Sequence, residues 1–151
     1  MENVVIMRMF AIAAALVLAT SVAGVQAQDR TPSPKGAKVF IISPKDGETV
    51  SSPVTVKFGI KGMTLAPAGT KTENTGHHHL LIDTEAPPDQ GQPIPSVPDK
   101  VVHFGKAQTE TTVTLPPGKH TLQLLLGDAN HIPHNPAVIS KKITITVKSS
   151  P

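Results

Sequence analysis

Histidine is the residue type that could carry chemistry in this chain, because seven histidines occur in a sequence without cysteine. Three are consecutive, at His77, His78 and His79, and two more form a His-x-x-His phrase at His131 and His134. Imidazole nitrogens are good ligands for Zn(II), Cu(II) and Ni(II), and imidazole also takes up a proton near neutral pH. The pattern therefore favours a binding site over an enzyme that uses a covalent nucleophile.

The three consecutive histidines divide between the two faces of a predicted strand. Alternate side chains of a strand share a face, so His77 and His79 point one way while His78 points the other, together with Leu80 and Ile82. His77 and His79 would lie about 6.5 to 7 Å apart, and both rings could reach one ion at a Zn–N distance of about 2.0–2.1 Å. We expect His78 to be buried and hydrogen-bonded instead.

The other candidate ligands lie far from this triplet in the sequence. His103 follows two valines on a predicted edge strand, whereas His131 and His134 lie in a loop whose prolines would restrict both rings. If folding brings these segments together, three or four of the candidates could bind one ion: His77, His79, His103, His131 and His134. Since Cu(I) carriers favour Cys and Met, a set made only of imidazoles predicts Zn or Cu(II).

Two other interpretations of the histidines stay open. The rings could form a hydrogen-bonded network with carboxylates, which would make the domain a non-catalytic structural or interaction module with an envelope protein as partner. A metal-bound water held by three histidines could instead support hydrolysis, although no Gly-x-Ser-x-Gly phrase is present. We do not expect an enzyme. The carboxylates available for a network are Asp83, Asp99, Glu110 and Asp128.

The elements that must position these histidines are strands. Val54 to Ile60 alternates apolar side chains with small or polar ones, which is typical of a half-buried strand. Residues 84–100 are rich in proline and predict a long loop, because proline cannot pair in a central strand. With no helical period after Ala27, the pattern predicts an all-β, antiparallel β-sandwich of about seven strands over residues 38–148. Further strands are predicted at 39–42, 77–83, 109–115, 119–126 and 138–147.

The N-terminal segment from Met1 to Ala27 predicts a helical signal peptide. A short polar start with Arg8 precedes an apolar block, and small residues lead to a cleavage site after Ala27. We therefore expect a periplasmic or secreted protein with no stable membrane anchor after cleavage, in which residues 28–37 form a flexible leader. Nucleic acid is not an expected partner, because the 14 Lys and Arg residues are dispersed and only slightly exceed the 11 Asp and Glu residues.

Two phrases resemble bacterial immunoglobulin-like domains. Ile-Ile-Ser-Pro-Lys-Asp-Gly-Glu-Thr-Val at 41–50 is similar to their first strands, and Leu-Pro-Pro-Gly-Lys-His-Thr-Leu-Gln-Leu at 115–124 is similar to their penultimate loop and strand. This resemblance implies an immunoglobulin-like sandwich. It also places His120 at a corner position, where we expect its ring to bond to a backbone carbonyl.

A narrower resemblance covers the chain from about Ala37 to Val147. Its phrases are Gly-His-His-His-Leu-Leu-Ile-Asp at 76–83, His-Phe-Gly-Lys-Ala-Gln-Thr-Glu at 103–110 and Leu-Leu-Gly-Asp-Ala-Asn-His-Ile-Pro-His-Asn-Pro at 125–136. They resemble the family of bacterial exported proteins known as domain of unknown function 4399. Membership implies no activity. The resemblance also implies a further histidine where this chain has Val101, so a site that required that ligand would be incomplete here.

Overall fold

A computed structural model describes residues 29–87 and 90–149 of the chain. These residues contain nine strands and no helix, and therefore no helix long and apolar enough to cross a membrane. The predicted signal peptide, Met1 to Ala27, lies outside the described residues. The strands are β1 (Lys38–Ser43), β2 (Thr49–Val50), β3 (Val54–Lys61), β4 (Thr64–Leu65), β5 (Thr75–Ile82), β6 (Val101–His103), β7 (Glu110–Val113), β8 (Gly118–Gly127) and β9 (Ile143–Val147).

The strands form two sheets that pack as a sandwich. The smaller sheet has the order β1-β3-β7, and the larger has the order β2-β9-β8-β5-β4, with β6 also paired to β5. The long pairings are antiparallel, as predicted, whereas the two-residue strands β2 and β4 pair in parallel with β9 and β5. The predicted all-β sandwich is confirmed, with nine strands in the described residues instead of about seven.

Alternation along the strands builds the core between the sheets. β3 buries Val54, Val56 and Phe58 and exposes the residues between them, as its sequence predicts. Leu80 of β5 and Leu124 of β8, both fully buried, belong to the same core. The burial of each such side chain stabilises the fold by about 1.5–3 kcal/mol. Because the chain has no cysteine, this apolar packing holds the sheets together without a disulfide.

Strand β5 connects the core to the histidines because both of its faces are covered. Every residue of β5 after Thr75 is buried. The inner face enters the main core, whereas the outer face carries a second apolar cluster that includes Leu81 and Ile94. Ile94 belongs to the predicted proline-rich loop, and its N–H donates to the carbonyl oxygen of His131 at 2.8 Å. The loop therefore covers the outer face of the larger sheet.

The last strand begins later than residue 138, where the sequence predicts it. Residues 138–142 run beside β8, and the Ser140 N–H donates to the Leu124 carbonyl at 2.9 Å, but regular pairing begins only at Ile143. The Ser140 hydroxyl also accepts a hydrogen bond from the Leu124 N–H at 2.8 Å. A side chain thus takes the place of a backbone partner, which interrupts the ladder.

Residues 30–33 are docked on the domain, although the sequence predicts a flexible leader there. The Ser33 N–H donates to the Asn135 carbonyl at 3.1 Å, and the Asn135 N–H donates to the Thr31 carbonyl at 2.9 Å. The Arg30 guanidinium donates to two further carbonyl oxygens of the same loop. Composition could not reveal this docking, because the partners are backbone groups of a distant loop. We call residues 30–33 the N-terminal strap.

Candidate metal centre

Three separate elements bring four histidines together on the outer face of the larger sheet. His77 and His79 project from β5, with ring centroids 4.9 Å apart, as strand parity predicts. His103 ends β6 and is the cross-strand neighbour of His79. His131 lies in the loop that follows β8. These four residues form the histidine cluster.

The donor atoms of three of these rings converge. One nitrogen from each of His77, His103 and His131 lies within 4.8 Å of the other two, and the Nε2 atoms of His103 and His131 are 3.1 Å apart. A tetrahedral zinc ion needs donors roughly 3.4 Å apart, given Zn–N bonds of about 2.0–2.1 Å. Small ring rotations would therefore place three nitrogens on one ion. We call these three residues the histidine triad.

His79 belongs to the cluster but not to the converging set of donors. Its ring centroid lies 4.9 Å from that of His77, 5.1 Å from that of His103 and 5.9 Å from that of His131. His79 is not one of the three residues whose donor atoms lie within 4.8 Å of one another. The sequence predicts His79 as a ligand paired with His77, but the structure places it beside the triad.

Two glycines make room for the rings. A Cβ atom at Gly127 would lie 2.7 Å from Cε1 of His79, and a Cβ atom at Gly105 would lie 2.5 Å from Cε1 of His103. Both distances are well below the ordinary carbon–carbon contact of about 3.5–4.0 Å. Sequence reasoning missed both glycines, although each adjoins a histidine phrase. Neither histidine could keep its present position if the glycine gained a side chain.

Asp128 organises the loop that carries His131. Its Oδ1 accepts hydrogen bonds from the N–H groups of Asn130 and Ile132 at 2.8 and 2.9 Å, and the His131 N–H donates to the Asp128 carbonyl at 3.0 Å. These bonds hold His131 at a φ of 66°, which is uncommon for a residue other than glycine. The Thr31 hydroxyl of the N-terminal strap donates to Oδ2 of Asp128 at 2.6 Å. The strap therefore supports the loop, a role that sequence reasoning also missed.

The cluster is buried at its base and open at its rim. His77 and His79 are 1% and 2% exposed, whereas His103 is exposed and His131 is partly exposed. Nε2 of His77 and Nδ1 of His79 have no hydrogen-bond partner among the described residues. Each buried polar group left without a hydrogen-bond partner lowers the stability of the fold by about 1–3 kcal/mol. The base of the cluster therefore holds ring nitrogens whose hydrogen-bonding capacity is unused.

Burial keeps the inner rings neutral. Burial lowers the pKa of His77 to about 4, with His131 and His103 adding to the effect and Asp128 opposing it. Burial and the neighbouring rings lower the pKa of His79 to about 3. Partial desolvation, followed by the effect of His131, also lowers the pKa of His103. Neutral imidazoles each keep a lone pair, which is the form that binds metal.

His78 and His134 lie outside the cluster. His78 is fully buried, as predicted, but neither of its ring nitrogens has a hydrogen-bond partner among the described residues, so the predicted hydrogen bond is absent. Its ring instead packs edge-on against Phe58. His134 is also fully buried, and its Nε2–H donates to the Thr75 carbonyl at 3.2 Å. Among the described residues, no ring contact joins His134 to the cluster, so the structure does not bring this predicted ligand to the triad.

The prediction for His120 is confirmed. Its Nε2–H donates to the Pro116 carbonyl at 2.8 Å, and its Nδ1–H donates to Oδ2 of Asp83 at 2.7 Å. Both ring nitrogens face acceptors, so the ring is suited to the protonated form. Although burial lowers the pKa of His120, these hydrogen bonds outweigh it and raise the pKa above its ordinary value.

The carboxylates do not form the predicted network with the cluster. Asp83 pairs with His120, and Asp128 accepts its hydrogen bonds from backbone N–H groups and the Thr31 hydroxyl. Within residues 29–87 and 90–149, no carboxylate is hydrogen-bonded to a ring of the cluster. Asp128 acts on His77 only through its charge.

The fold and the cluster define an all-β domain of two packed sheets, with a group of histidines on the outer face of the larger one. The chain belongs to the family described as Domain of unknown function (DUF4399), whose sequence model matches residues 56–148. This confirms the family predicted from the histidine phrases, and the matched segment contains the whole cluster. Neither a curated protein nor a solved structure matches the chain.

Proposed function

We propose that this domain binds one divalent transition metal ion, Zn(II) or Cu(II), through His77, His103 and His131. The observation that carries the proposal is the convergence of one nitrogen from each ring to within 4.8 Å, from three elements that are distant in sequence. Imidazole nitrogen suits these two ions, whereas Mg, Ca and Mn favour oxygen ligands. The role we propose is binding, without a covalent nucleophile.

The surroundings of the triad support a metal ion over a hydrogen-bonded network. A network would supply each buried nitrogen with a partner, yet Nε2 of His77 lacks one. The two rim rings contact each other through their Nε2 atoms, so one of these atoms must accept a hydrogen bond that the other donates. A metal ion would use the lone pairs of all three nitrogens together.

The proposed cellular setting rests on the sequence alone. The segment from Met1 to Ala27 supports export, so we propose that the metal is bound in the periplasm or outside the cell. The absence of cysteine suits this setting, because an imidazole site does not depend on a reduced thiol. An envelope protein that delivers or receives the metal is the partner we propose.

The direct test is metal titration of the untagged protein after treatment with a chelator. Calorimetry with Zn(II) and Cu(II), combined with native mass spectrometry, should show one ion per chain with a Kd below about 1 μM, or about −8 kcal/mol. His131→Ala should weaken binding by more than about a hundredfold, since the loss of a group that only orients a ligand already costs about 10- to 100-fold. The matched control is His120→Gln, which removes an imidazole outside the cluster. The absence of saturable binding of either ion would refute the proposal.

A further inference from the structure

We infer that the metal centre is open, with three histidine ligands and one coordination position left for water or a small exogenous anion. His79 lies beside this position and does not bind the ion. The inference rests on the proposed metal binding and specifies how the same site is built. It gives the domain a second ligand, a water molecule or small anion that would bind to the metal ion and not directly to a side chain.

Three donor atoms converge at the centre. Among residues 29–87 and 90–149, the triad is the group that offers three nitrogens within 4.8 Å of one another. Metal centres with three protein ligands are the ones that keep a position for water or substrate, whereas structural zinc sites are closed by four. The site therefore has the donor count of an open centre.

His79 is held in place by its packing. The ring is only 2% exposed, and it packs so closely on Gly127 that a Cβ atom there would lie 2.7 Å from Cε1. Its centroid is farthest, at 5.9 Å, from the ring of His131, which is carried by the loop after β8. Becoming the fourth ligand would require His79 to leave this packed position.

The centre faces solvent on one side. His77 lies at the buried base, whereas His103 is exposed and His131 is partly exposed. An ion held between these rings would have protein beneath it and solvent at the rim. A small ligand could therefore reach the vacant position without any rearrangement of the sandwich.

Charge favours an anion at this position. Three neutral imidazoles leave the two positive charges of the ion uncompensated. Asp128 is the acidic residue whose charge acts on His77, and both of its oxygens already accept hydrogen bonds. A small monodentate anion would reduce the net charge of the centre. Its binding would be simple ligand exchange, in which the metal–water bond breaks, a metal–anion bond forms, water leaves and no electron is transferred.

The experiment uses Cu(II)-loaded protein and azide as the probe anion. Azide should bind with one-to-one saturation, produce a new azide-to-Cu(II) charge-transfer band and change the Cu(II) electron paramagnetic resonance spectrum. His79→Gln should retain one Cu(II) per chain, with an affinity within about tenfold of the wild type, because it removes a neighbour and not a ligand. His77→Gln should lose Cu(II) binding. If the protein takes up Zn(II) alone, Co(II) replaces Cu(II) as the spectroscopic ion.

The outcomes separate this inference from the proposed function. If Cu(II) binds through nitrogen ligands but azide leaves both spectra unchanged, the centre is closed and the inference is wrong while metal binding stands. If His79→Gln loses the ion as completely as His77→Gln does, His79 is a fourth ligand, and the inference is again wrong. If neither Cu(II), Zn(II) nor Co(II) binds, the proposed function fails and takes the inference with it.

Discussion

Gly105→Ala tests whether the position of one exposed ring controls metal binding. The new Cβ atom would lie 2.5 Å from Cε1 and 3.0 Å from Nε2 of His103. Since ordinary contacts between carbon atoms are about 3.5–4.0 Å, the ring must shift by about 1 Å. Metal–ligand distances tolerate only about 0.2 Å, so this displacement weakens the bond that His103 would make to the ion.

The expected result is a large loss of affinity with little loss of stability. We expect the Kd for Zn(II) or Cu(II) to rise by about 10- to 100-fold, the range seen when groups that orient metal ligands are removed. Gly105 is not in the left-handed region, and His103 can turn into solvent, so the free energy of unfolding of the metal-free protein should change by less than about 1 kcal/mol.

The assay combines calorimetric titration with urea unfolding of the metal-free protein. The matched control is Gly59→Ala on the smaller sheet, where a Cβ atom would lie 2.2 Å from the ring of Phe40, which is 36% exposed. This change also pushes a glycine against an exposed ring, but far from the triad, and it should leave the Kd unchanged. Gly105→Ala protein with wild-type affinity would refute the reasoning, because the ring position would then be irrelevant to binding.

Three further predictions concern other parts of the domain. His78→Leu removes two buried ring nitrogens that lack partners, so the free energy of unfolding of the metal-free protein should rise by about 1–3 kcal/mol in urea titrations, with the metal Kd unchanged. Thr31→Val breaks the hydrogen bond to Asp128, and calorimetry should show the metal Kd rise by up to about tenfold, because the strap then supports the loop of His131 less firmly. The raised pKa of His120 stabilises the fold fully below its ordinary value of 6.5, and this stabilisation is lost as the pH rises through the raised value. Asp83→Asn should therefore flatten the fall of Tm that occurs as the pH rises above 6.5.

Each of these predictions has a control or a contradicting result. Thr55→Val is the control for Thr31→Val, because it removes a hydroxyl on the smaller sheet. If both variants lose metal affinity equally, the strap has no special role. If His78→Leu protein is less stable than the wild type, the packing contacts of the His78 ring stabilise the fold by more than its unpaired nitrogens destabilise it. If Tm falls with rising pH as steeply in Asp83→Asn protein as in the wild type, the hydrogen bonds of His120 do not cause this pH dependence.

Local periodicity predicted much of the fold. The alternation of Val54, Val56 and Phe58 predicts the strand and its buried face, because side chains two apart share a face whatever the rest of the chain does. The same parity explains why His77 and His79 share the outer face while His78 enters the core. Proline placement predicts the long loop before β6, since proline cannot donate to a ladder.

The composition of the candidate site was predictable only in part. Loops have no periodicity, so the spacing of His131 and His134 could not show that one ring joins the cluster while the other bonds to Thr75. The space that Gly105 gives His103 depends on how segments pack, which spacing in the sequence does not report. Docking of the strap likewise depends on contacts between residues about a hundred positions apart.

The convergence of distant segments on one ion would also make the metal a cross-link. His103 and His131 are 28 positions apart, and an ion that joins them closes a loop through β7 and β8. Because the site forms only in the folded chain, a bound ion would stabilise the fold by its binding free energy, which is about 2.7 kcal/mol at a free metal concentration 100 times the Kd. For a protein without cysteine, resistance to unfolding would then depend on the supply of metal.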